Sequence, residues 1–217
     1  ETLKMKPDTK LIGLHPFGTQ FRLDESTAAF SGFGGPKAMV ESSEGGANML
    51  MGIGINTGGY NYRAVGVKWM ANADSYMNDV KFVGGHGGLW KPKPGVEEPR
   101  ARWNRPARIS SPDNPVAASG MDLAWDNQYW SLWVTNNGGG TFKDIWTAST
   151  YATNGFYANN TSTPGRIYAM SIEHHVRNEV RFSKVSNWKV YCMQTEEESR
   201  ESTDCQPIEM DDCKDVT

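Results

Sequence analysis

Asp144-Ile145-Trp146, Arg166-Ile167-Tyr168 and Lys189-Val190-Tyr191 decide the reading of the fold. Each triplet runs polar, β-branched, aromatic, and they follow one another at intervals of 22 and 23 positions. Such an interval suits one coil of a parallel β-helix, which spends its residues on short strands and the turns between them. Successive coils stack with strands about 4.8 Å apart, so equivalent residues form ladders. No coil buries its apolar face alone, and each depends on its neighbours. Asp79-Val80-Lys81-Phe82 stands 65 positions before the Asp144 run, close to three further periods. The spacing predicts an all-β solenoid with Ile145, Ile167 and Val190 as one interior ladder. An antiparallel sandwich with evenly spaced strands is the alternative.

Composition agrees with an all-β chain. Gly is abundant at 23 residues and separates short β-rich runs, as in Asn136-Asn137-Gly138-Gly139-Gly140. No long segment repeats apolar residues at helical spacing. The 217 residues suffice for one domain with a sizeable core. The formal net charge of −3 lacks the basic surplus of a nucleic-acid binder. No apolar run approaches the roughly 20 residues of a membrane span. Cys192, Cys205 and Cys213 are odd in number; either Cys205 and Cys213 close a small loop in an oxidising compartment, or all three are reduced with one buried in a strand.

Two regions break the rhythm. Residues 84–120 carry prolines at 92, 94, 99, 106, 112 and 115, which exclude a central strand. This stretch reads as a long loop leaving the solenoid, and its Trp and Arg residues suit the wall of a groove. Glu1 to Asn48 lacks a clear period and reads as early irregular coils or a cap.

Three segments, taken in order, resemble family 55 of the glycoside hydrolases, the exo-β-1,3-glucanase group. The first is Gly66-Val67-Lys68-Trp69, continuing to Asn78-Asp79-Val80-Lys81-Phe82; the second is Asn136 to Asp144 with Ile145. The third joins Glu173-His174-His175-Val176 to Met193-Gln194-Thr195-Glu196. The resemblance spans roughly residues 53–198. It implies a right-handed, pectate-lyase-like parallel β-helix, generally one of two in tandem, cleaving β-1,3-glucan from the chain end with inversion. A second β-helix domain or another subunit is then an expected partner, the chain being a single β-helix domain over 1–217 or a fragment of a longer one. A polysaccharide substrate implies a secreted, extracellular or periplasmic setting. Two positions depart from the family pattern: Met70 and Ala73 stand where a glutamine is expected, and the Asn136–Gly140 turn lacks a serine.

An inverting glycosidase needs a carboxylic acid beside the leaving oxygen and a carboxylate that activates water, about 6.5–9.5 Å apart. Glu173 and Glu196 are 23 positions apart, hence one coil apart. Direct stacking would place them about 4.8 Å apart, and a lateral offset of one position would widen that gap. The resemblance gives Glu196 the role of general acid, Glu173 a part in activating water, and Gln194 the orientation of sugar hydroxyls. His174 and His175 point to opposite faces if they lie on a strand, one packed inside and the other lining the cleft. Trp146 and Trp188 lie in the repeat and read as packed. Trp90, Trp103 and Trp130, in or beside the long loop, are candidates for stacking on sugar rings.

No metal motif has convincing spacing, and no cofactor is expected. Two other functions fit the same solenoid. A polysaccharide lyase would need Ca²⁺, for which Asp74, Asp79, Asp122 and Asp126 are candidates, and a base such as Arg100, Arg102, Arg105 or Arg108. A non-catalytic glycan-binding or assembly module would account for the lost glutamine and serine. Fold alone does not choose among the three.

Overall fold

The computed structural model describes residues 1–32, 34–84, 128–148, 152–175, 177–196 and 206–217. The chain is a parallel β-solenoid, and among the described residues every strand pairing is parallel and there is no helix. One sheet contains β1 (Leu3–Lys4), β4 (Lys37–Glu41), β6 (Ala64–Trp69), β8 (Gln128–Val134), β10 (Ala152–Thr161), the first part of β13 (Asn178–Val190) and β15 (Gln206–Asp211). The second sheet stacks β2 (Lys10–Ile12) and β3 (Gln20–Arg22) on β5 (Met49–Asn56). There follow β7 (Tyr76–Phe82), β9 (Gly140–Thr147), then β11 (Gly165–Ile167) and β12 (Met170–Glu173). The end of β13, β14 (Met193–Glu196) and β16 (Lys214–Val216) complete it.

Two interior ladders run along the second sheet. Leu50, Met77, Phe142, Ile167 and Val190 form one. Ile53, Val80, Ile145, Met170 and Met193 form the other. The expected ladder is therefore half right: Ile167 stacks on Val190, but Ile145 stacks on Met170. The reason is a bend. Gly52, Asp79 and Asp144 hold equivalent positions in left-handed backbone, with φ of 65°, 49° and 52°. Asp and Gly tolerate that conformation better than most residues. The bend lets residues on either side of it, such as Phe142 and Ile145, both point inward. A slip of three positions thus preserves the inward pattern, and the triplets alone did not resolve it.

The 65-residue interval also needs correction. Val80 pairs directly with Ile145, and Val67 with Leu132, so these coils are immediate neighbours, not three periods apart. The predicted loop beyond Gly84 lies outside the described residues. The early stretch does form coils, with β1 on β4 and β2 and β3 on β5.

Aromatic rings fill the later coils. Trp188 is fully buried and stacks on Phe142 at 5.6 Å between centroids, with Phe156 and Phe182 beside it. Trp69 packs edge-on to Phe142, and its indole N–H donates to the Gly139 carbonyl at 2.9 Å. Cys192 and Cys213 are free thiols, and Cys205 lies outside the described residues. No described helix is long and apolar enough to cross a membrane.

Candidate functional site

Strand alternation builds the site. In β12, Met170 and Ile172 point inward, which turns Ser171 and Glu173 outward, and in β14 Gln194 and Glu196 are likewise the exposed residues. The register pairs Ser171 with Gln194 and Glu173 with Glu196. On the other side of β12, Trp146 of β9 pairs with Ser171, and Lys81 of β7 pairs with Trp146. One outward row thus carries Lys81, Trp146, Ser171 and Gln194, and the next carries Glu173 and Glu196.

Glu173 is the most constrained member. Its Oε1 accepts from the Trp146 indole N–H at 2.8 Å and from the Ser171 hydroxyl at 2.7 Å. Its Oε2 lies 3.5 Å from His174 Nε2. The Ser171 hydroxyl also touches the Gln194 amide at 2.5 Å, and Gln194 Nε2 donates to Glu196 Oε2 at 3.3 Å. Ser171 thus stands between two acceptors, Glu173 Oε1 and Gln194 Oε1, and its single proton serves one of them at a time. The lateral offset expected between Glu173 and Glu196 is absent, because they are register partners. The Glu173 carboxylate bonds across to Trp146 on β9, which lies on the side of β12 opposite β14.

Lys81 adds a cation at the edge. Its Nζ lies 2.9 Å from Asp144 Oδ1 and 3.3 Å from Asp79 Oδ1, the bend residues of two coils. These groups line an open depression of about 400 Å³ that includes Lys81, Asp144, Trp146, Ser171, Glu173 and Gln194. That volume falls in the usual range for a ligand cleft. A second depression of about 430 Å³, lined by Arg22, Asp24, Glu25 and Asn56, gathers none of the residues singled out above.

An early loop reaches into this region. Phe17, half-exposed, sets its ring edge-on to Trp146 at 6.1 Å, with His15 at 5.8 Å behind it. The loop lies flat on the second sheet because Gly54 has no side chain. A Cβ there would stand 2.1 Å from the Pro16 carbonyl oxygen. The sequence reading had no signal for this contact, since Phe17 and Trp146 are far apart in the chain.

The two histidines separate as expected, although a bend does it instead of strand alternation. His174 has φ of 67° and stays beside Glu173, while His175 turns inside and is 1 % exposed. Trp130 is corrected: it is 3 % exposed, packed against Tyr129, Trp133 and Tyr157, and its faces are not open to a sugar. Trp90 and Trp103 lie outside the described residues. Trp188 is packed as expected, whereas Trp146 borders the site. Ser171 was legible in principle: Ser171-x-Glu173 repeats as Gln194-x-Glu196 one coil later. Among the described residues no three His, Cys, Asp or Glu side chains converge to hold a metal ion. Asp122 and Asp126 lie outside the described residues, and Asp79 pairs with Lys81.

Fold and site together define a parallel β-solenoid with a hydrogen-bonded carboxylate cluster on an outer face. No known protein-family profile matches the chain, and no curated protein shows significant similarity to it.

Proposed function

We propose that the protein is a glycoside hydrolase of the β-helix type, related to family 55 and acting on β-1,3-glucan or a similar polysaccharide. The observation that carries this reading is the in-register pair of Glu173 and Glu196, of which Glu173 lines a depression together with Trp146 and Gln194. Glu173, with donors on Oε1, is oriented as an acceptor and suits the group that activates water. Glu196 is then the proton donor to the leaving oxygen. Gln194 sits between them and orients sugar hydroxyls. Trp146 and Phe17 offer apolar surface to a sugar ring. Inversion requires the two carboxyl groups about 6.5–9.5 Å apart, leaving room for the attacking water. The test is incubation with laminarin-type oligosaccharides, with the first-formed anomer read by NMR. An inverted anomer supports the reading, and retention would transfer Glu173 from base to nucleophile.

The exposure of Glu196 favours a second reading, in which the same face binds glycan without cleaving it. Glu196 stands on the outer face of the last described strand of this row, open to a sugar and enclosed by little else. Saturable binding of the same oligosaccharides with no product would select this reading.

A further inference from the structure

We propose that Glu179 and His175 form a buried clamp that positions Glu173 and Trp146 from inside the coil; the proposal rests on the reading of Glu173 as a catalytic carboxylate. β12 ends at Glu173, and the left-handed turn at His174 sends the chain into the interior. There the Glu179 side chain, fully buried on β13, takes two donors from one residue. Its Oε1 accepts the His175 backbone N–H at 3.2 Å, and its Oε2 lies 2.6 Å from His175 Nδ1. The other ring nitrogen, Nε2, lies 3.3 Å from Thr147 Oγ1 and 3.5 Å from Ser131 Oγ. Ser131, Thr147, His175 and Glu179 are all at most 2 % exposed.

The placement of these contacts gives the network its role. Thr147 follows Trp146 directly in β9, and His175 is two residues beyond Glu173. Both partners of the Trp146–Glu173 hydrogen bond are therefore anchored next to the imidazole. The room for that ring is provided by Gly155, where a Cβ would come within 2.6 Å of His175 Cε1 and 2.2 Å of Ile172. Burying an ionisable pair brings no stability over well-packed apolar side chains, because desolvation offsets the attraction. A solenoid interior of Val, Ile and Phe would hold the coils together equally well. What the pair adds is a fixed direction for the turn, and the group fixed is Glu173. Glu179 and His175 themselves have no access to a substrate, so they are positioning residues.

The experiment uses the full chain and two readouts. The first is the Trp146 indole N–H signal in ¹⁵N NMR, assigned with Trp146→Phe. The second is kcat and KM on a laminarin-type oligosaccharide. In Glu179→Gln the expected result is a shifted Trp146 signal with about tenfold faster hydrogen exchange, and a kcat lowered about 10- to 100-fold with KM within about threefold. The slowly exchanging core amides should remain. A folded Glu179→Gln whose Trp146 signal matches the parent overturns the proposal. Should Glu179→Gln fail to fold, Thr147→Val removes only one hydroxyl at nearly equal volume and carries the test. It should shift the same signal in the same direction, and no shift overturns the clamp. If the parent turns over no glycan, the hydrolase reading falls, while the indole signal still decides whether the clamp exists.

Discussion

Glu173 and Glu196 are register partners on adjacent coils, and the Glu173 carboxylate accepts the indole N–H of Trp146, on the side of β12 opposite Glu196. The backbone alone would hold the pair near one strand spacing. The indole bond instead ties the Glu173 carboxylate to the neighbouring coil on the other side, that of β9.

The first prediction follows from that pair. Glu196→Gln should abolish cleavage of glycosides with poor leaving groups, because proton donation is lost. An activated aryl glycoside should lose less. Glu173→Gln should impair both, since either substrate needs an activated water. Steady-state kinetics on the two substrate types checks this, with losses of about 10²- to 10⁴-fold expected where the group acts. Turnover of the natural glycan within a few-fold of the parent would remove that residue from the chemistry.

The aromatic wall should act on binding more than on chemistry. Phe17→Ala removes a half-exposed ring that sits edge-on to Trp146 and beside His15. Oligosaccharide affinity by calorimetry should fall about 3- to 10-fold, on the scale of an aromatic contact of about 0.5–1.5 kcal/mol. Unfolding by urea should be unchanged within error. Equal affinity in the variant would place the sugar elsewhere on the face.

Gly54 offers a separate handle on the same loop. Gly54→Ala puts a Cβ against the Pro16 carbonyl, and backbone cannot give way as a flexible side chain would. The loop carrying His15 and Phe17 should lift from the second sheet. Fluorescence or NMR of Trp146 should change, and glycan affinity should fall as in Phe17→Ala. A parent-like Trp146 environment would show that the loop is not seated by this glycine.

Stability should follow the corrected ladders. Ile167→Ala and Ile145→Ala each open a cavity in a packed interior and should cost about 2–5 kcal/mol in chemical denaturation. The two belong to different ladders, so a cysteine pair can tell them apart. Ile167→Cys with Val190→Cys should crosslink under oxidation, while Ile145→Cys with Ile167→Cys should not. The opposite pattern would restore the ladder read from the triplets.

The amino-acid sequence determined the class of fold because a solenoid writes its geometry locally. Short β-rich runs, Gly- and Asn-rich turns and an interval near one coil need no distant partner to be legible. It also drew attention to Glu173 and Glu196, through a family resemblance and a separation of one coil that permits stacking without fixing it. The exact register was decided only in three dimensions. The left-handed bend at Asp144 lets two rows three residues apart both face inward, so triplet matching had two equivalent solutions. The composition of the site was likewise tertiary. Trp146 turned from expected core to site wall because Ile145, directly after the bend, faces inward and strand alternation then turns Trp146 outward. Trp130 turned from expected sugar platform to packing because three aromatic neighbours enclose it. Phe17 arrives across more than one coil, and Glu179 meets His175 only because the chain turns inward at His174. Such contacts depend on which residues a bend brings together, and hydrophobic periodicity contains no record of that.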